Sequence, residues 1–211
     1  MAHAGAWITA DEDQTITTFG YSRDDDGVAT LESDIYAEAP IGRRFALVGH
    51  TLNTRDTFGA QTDEADVDFK VAAHRGRRSA LALQAGVTWR AEQLDGCEEV
   101  GGEVRGLAGM SSRTGRSFLN GEAAIRVAGG GCAHARYELT AGLRPNAGWL
   151  GLGQIFVDDD LEFGETIKAQ ATLVRFTRKG RGLQLSLRLR VDDGAVTEPT
   201  LILGYWSKAR R

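Results

Sequence analysis

From Leu183 to Val191 the chain alternates without a break. Leu183, Leu185, Leu187, Leu189 and Val191 fall on one side, and Gln184, Ser186, Arg188 and Arg190 on the other. A strict period of two describes an extended strand that meets a different environment on each face. Leucine by itself favours helices, so the pattern and not the propensity decides the conformation. The pattern returns along most of the chain, so the fold follows from how one two-faced strand is repeated.

Successive alternating runs separated by turn residues predict about twelve strands. The first lies near Gln14 to Tyr21, before Asp24-Asp25-Asp26-Gly27. The second, about Val28 to Ala39, sets Leu31, Ser33, Ile35 and Ala37 against Glu32, Asp34, Tyr36 and Glu38. Phe45–Thr54 follows, then a polar loop around Asp56–Glu64, then Ala65–His74 with Val67, Phe69 and Val71 opposite Asp66, Asp68 and Lys70. Ser79–Arg90, Gly102–Ser111, Phe118–Val127, Ala133–Arg144, Trp149–Val157, Glu165–Phe176, the opening ladder and Thr197–Trp206 complete the set. Tight turns at Gly42, Gly76, Gly115, Gly148 and Gly180 carry arginine and lysine, whereas the connections between them read as longer and acidic. In an up-and-down sheet alternate connections lie at opposite ends. One end is therefore expected to be short and basic, the other long and acidic.

The chain has 211 residues, enough for one large all-β domain. Its 27 glycines and 3 prolines suit many tight turns in an uninterrupted antiparallel ladder. A formal net charge of −4 argues against a nucleic-acid partner. No stretch of about 18 apolar residues exists for a membrane helix, but a transmembrane strand needs only about 9–11 alternating residues. Residues 1–11, with Ala2-His3-Ala4 before Gly5, read like the small-residue end of a signal-peptidase site. Residues 12–206 are expected to form the barrel and 207–211 a C-terminal tail. Cys97 and Cys132 both fall in loops at the same end, within reach of one disulfide in an exported protein; two free thiols are the alternative.

Periodicity does not say which face points inward. A soluble, lipocalin-like barrel would put the apolar face inside around a ligand, and a membrane barrel would put it outside. An even strand count, the short and long ends and aromatic residues near strand ends (Trp89, Tyr137, Trp149, Phe156, Phe176, Tyr205, Trp206) favour the membrane arrangement. The lumen then collects Glu32, Asp34, Asp66, Asp68, Lys70, Arg90, Glu122, Arg126, Arg136, Glu138, Arg144, Lys168, Arg188 and Arg190, together with Glu38 and His74. Acids gather in the second and fourth strands and bases in the C-terminal half. Opposed charged walls create a transverse field that orients small polar or zwitterionic solutes. If the groups instead pair with one another, they plug the barrel.

Gly5-Ala6-Trp7, the run Arg144-Pro145 through Trp149-Leu150-Gly151-Leu152-Gly153-Gln154, and the closing Leu201-Ile202-Leu203-Gly204-Tyr205-Trp206 resemble the outer-membrane β-barrel proteins of Gram-negative bacteria. Within these, the likeness is to a proteobacterial group of porin-like barrels and covers essentially the whole chain. The resemblance implies a passive channel or transporter with both termini in the periplasm. Its partners would be outer-membrane lipid and lipopolysaccharide, the barrel-insertion machinery and small polar solutes. Barrels of this class usually end on an aromatic residue that the insertion machinery reads; here Ser207-Lys208-Ala209-Arg210-Arg211 follows Trp206.

A membrane-embedded hydrolase is the third reading. Ser111, Ser112 and Ser186, with His50, His74 and His134, are available, but no nucleophile-elbow motif links them and no catalytic residue is assigned. Asp24-Asp25-Asp26 and Asp158-Asp159-Asp160 read as solvated acidic loops rather than calcium sites, and neither a metal nor a cofactor is expected.

Overall fold

The structure, a computed structural model, describes residues 12–24, 26–91, 97–160, 164–178, 180–192 and 195–210. These form twelve antiparallel strands: β1 (Glu12–Arg23), β2 (Ala29–Pro40), β3 (Phe45–Asp56), β4 (Gln61–Arg75), β5 (Ser79–Ala91), β6 (Val100–Ser111), β7 (Ser117–Ala128), β8 (Ala133–Asn146), β9 (Trp149–Asp160), β10 (Gly164–Phe176), β11 (Gly182–Asp192) and β12 (Ala195–Arg210). Each strand pairs with its sequence neighbours, and β1 pairs with β12, from Glu12↔Arg210 to Ser22↔Thr200, to close a barrel. Closure removes every sheet edge, which matters where no water is present to satisfy backbone groups.

Burial is inverted relative to a soluble barrel. On β11, Leu183 is 65 % exposed and Leu185 and Leu187 are exposed, while Gln184 and Ser186 between them are buried. The same holds on β4, where Val67 and Phe69 are exposed and Asp66, Asp68 and Lys70 are buried, and on β5, β7 and β12. A belt of exposed Leu, Val, Ile and Phe around the circumference exceeds any apolar patch that water tolerates on a monomer. Lipid is the solvent that fits it.

Three expectations need correction. The connections at the two ends do not differ much in length. β3 runs on to Asp56 and β4 starts at Gln61, and β9 reaches Asp160, so most of the expected long loops are strand. The chemical asymmetry remains: Arg43, Arg44, Arg75, Arg77, Arg78, Arg113, Arg116, Arg178 and Arg181 gather at the turn end, where β1 starts and β12 finishes. Second, Ser207–Arg210 is not a tail. It continues β12 opposite Thr15 to Glu12, and Lys208 pairs with Glu12 at 3.1 Å. Third, Trp89, Tyr137, Trp149 and Tyr205 face outward, with Arg175 stacked 4.8 Å over the Trp149 ring, but Phe156, Phe176 and Trp206 alternate to the inside. Residues 1–11 and Arg211 lie outside the described residues.

Candidate functional site: the barrel interior

The alternation puts all fourteen predicted lumen residues on inward positions of their strands. Most meet an opposite charge. Lys70 on β4 donates to Glu38 on β2 at 2.9 Å, and Glu38 also accepts from the Tyr36 hydroxyl at 2.7 Å. His50 on β3 lies between Asp34 (3.2 Å) and Asp66 (3.1 Å). Arg105 on β6 joins Glu103 (2.6 Å) and Glu122 (3.2 Å). Asp68 accepts from Gln84 at 2.8 Å, and Glu138 accepts from Thr140 and Gln154.

Two arginines cross the lumen. Arg126 on β7 reaches over β5 and β6 to Glu64 on β4 at 3.3 Å, and also approaches Glu103 (3.2 Å) and Asp66 (3.7 Å). Arg188 on β11 reaches past β12 and β1 to fork onto the Glu32 carboxylate of β2. Charge-assisted, two-pronged contacts of this kind fix geometry as well as energy. They also divide the interior into zones. The pairing expected to compete with an open lumen therefore exists in part.

Toward the loop end, above Arg126, the barrel opens into a cavity of about 430 Å³. Arg136, Lys168 and Arg190 line it from β8, β10 and β11 with Asp158 and Asp159 of β9 among them, and Glu64, Glu98 and Glu103 line it together with Arg90 and Arg126. Arg136 (2.7 Å) and Lys168 (3.4 Å) share the single carboxylate of Asp158. Arg190 is a looser 3.9 Å from Glu198, and Arg90 is 3.2 Å from Glu64. At the rim, Cys97 and Cys132 form a disulfide with a Cα–Cα distance of 5.7 Å, tying the β5–β6 connection to the β7–β8 connection. Arg144 lies at the other end of the barrel, beside the β8–β9 bulge, with its guanidinium 5.7 Å above the Phe176 ring.

Several interior residues were not anticipated as lumen residues. Glu64 and Asp158 had been expected in loops that turn out to be strand. Glu103 and Arg105 sit in β6, where glycines at 101, 102, 106 and 109 blur the two faces; the alternation Glu103-Val104-Arg105 is the signal that locates them. His50 had been weighed only as a catalytic candidate. The serines and histidines do not converge. Ser186 bonds Thr172 and Gln184, Ser112 contacts Thr114 in a turn, and His74 meets the exposed Ser79 at 3.3 Å. Among the described residues no cluster of His, Cys, Asp or Glu has metal-binding geometry.

An apolar exterior, a closed twelve-stranded wall and a charge-lined interior define a transmembrane β-barrel. Solved structures agree. The chain is similar to the COG4313 outer membrane channel from Pseudomonas putida F1 (TM-score 0.69, 9 % identity, covering 99 % of this chain and 100 % of that one). It is also similar to the NanC porin (0.68, 7 %, 93 % and 99 %) and to a KdgM porin in complex with disordered oligogalacturonate (0.65, 5 %, 90 % and 97 %). At these identities the likeness is one of fold. No protein-family model matches the sequence, and no curated protein matches it.

Proposed function

We propose that this barrel spans a bacterial outer membrane and acts as a passive channel for small hydrophilic solutes, which enter through the charged cavity at the loop end. The observation that carries the reading is a cavity open toward the loop end and lined by charged side chains of both signs. Arg136 and Lys168 share the Asp158 carboxylate on one side, and Arg90 and Arg126 both meet Glu64 on the other, so that with Arg190 five cations and several carboxylates line the space. Such a cavity offers a polar or charged solute partners of both signs in exchange for its water. Its volume suits molecules at the lower end of the small-ligand range. The turn end, with both termini and the arginine-rich turns, faces the periplasm, and the acidic end faces outward among lipopolysaccharide.

The test is planar-bilayer conductance with a salt gradient. Reversing Arg188 and Arg190 to glutamate turns two interior cations into anions, so the reversal potential should shift toward cation preference. An unchanged reversal potential in a conducting variant would exclude these residues from the solute path. A second reading, a closed scaffold, is favoured by the apolar packing at the turn end, and complete absence of conductance would support it.

A further inference from the structure

The interior is not polar throughout. Ile16, Leu150, Leu152, Val174 and Trp206 form one buried cluster, with Tyr36, Phe118 and Phe176 packed against it. These side chains come from β1, β2, β7, β9, β10 and β12, so they converge from both sides of the wall and fill the lumen instead of coating it. All lie near the turn-end termini of their strands. Leu150 and Val174 have no exposed surface and Trp206 is 1 % exposed. The Trp206 indole N–H donates to Gln184 Oε1 at 2.5 Å, and Phe176 meets the indole edge-on at 5.7 Å. Gly142 leaves the space that Phe118 occupies: a Cβ there would lie 2.0 Å from the ring. On β3 to β5 the buried alanines Ala46, Ala72, Ala80 and Ala82 lie near the same end, with Lys70 paired beside Ala46 and Leu107 of β6 packed on Ala80 and Ala82.

We propose that this layer is a hydrophobic gate, and that Trp206 with Phe118 and Phe176, rather than the charged cavity, limits passage through the barrel. An ion that enters the cavity exchanges water for arginine and carboxylate groups. At the layer below, apolar side chains fill the path. The polar groups beside them are already engaged, Gln184 with Trp206 and Glu38 with Tyr36 and Lys70, so the ion would shed its hydration without replacement. Rotation of the large rings opens a path, and two contacts that hold them, Gln184 on Trp206 and Arg144 over Phe176, come from side chains that can move with them.

This inference rests on the channel reading, and one experiment separates the two. Wild type, Trp206→Ala, Phe118→Ala and Trp206→Phe are reconstituted in planar bilayers in potassium chloride, with heat-modifiable gel mobility confirming that each barrel folds. The gate predicts small or rare openings for wild type, a several-fold larger unitary conductance for both alanine variants, and near wild-type closure for Trp206→Phe. If wild type already conducts and neither alanine variant conducts more, the gate is wrong while the channel stands. If neither wild type nor any folded variant conducts, gate and channel fall together.

Discussion

Lys70 has no exposed surface, and Glu38 beside it is nearly as buried. Taking both charges out of water is costly, and only their 2.9 Å contact and the Tyr36 hydroxyl offset it. Removing one partner therefore hurts more than removing both. Lys70→Ala should destabilise the barrel by about 3–5 kcal/mol by leaving an uncompensated carboxylate, and Lys70→Ala with Glu38→Ala should recover part of the loss. Urea unfolding in lipid vesicles measures this; a single variant as stable as wild type would mean that the pair does not hold these strands together. The faces of residues such as Glu32 and Arg188 were legible because both neighbours of each are apolar or small. Glu103 and Arg105 were not, because a glycine has no side chain with which to mark a face.

At the scale of the element, the described ends of the strands reveal what alternation can and cannot show. β9 and β3 continue past the last alternating residue because, beyond the lipid, both faces of a strand meet polar surroundings and the period-two signal vanishes. Trp206 and Phe176 were expected in an interfacial girdle on the strength of their nearness to strand ends. Parity says otherwise: Leu201, Leu203 and Tyr205 point outward, so Trp206 points in, and the same count places Phe176 inside. The rim disulfide is an element-scale device too, since it joins two neighbouring connections and closes a segment of sequence separation 35. Cys97→Ser should lower unfolding stability by about 3–4 kcal/mol in the loop-closure model while leaving the barrel closed. Unfolding with and without reductant checks it, because the reductant should weaken wild type and leave the variant unaffected.

The whole molecule is organised by one inversion, apolar side chains outward and charges inward. Ion pairs that cross the lumen, the cavity at the acidic end and the apolar layer at the basic end have meaning only inside that frame. The ladder from Leu183 to Val191 makes the inversion measurable on a single strand. Spin labels on Ser186→Cys and Leu187→Cys, placed one at a time in the disulfide-intact barrel in lipid, report which face meets which solvent. A label at 187 should be open to oxygen dissolved in the bilayer and shielded from a water-soluble nickel reagent, whereas a label at 186 should lose the oxygen signal. The reverse pattern, or equal access of the nickel reagent at both positions, would contradict the inside-out barrel and with it the channel.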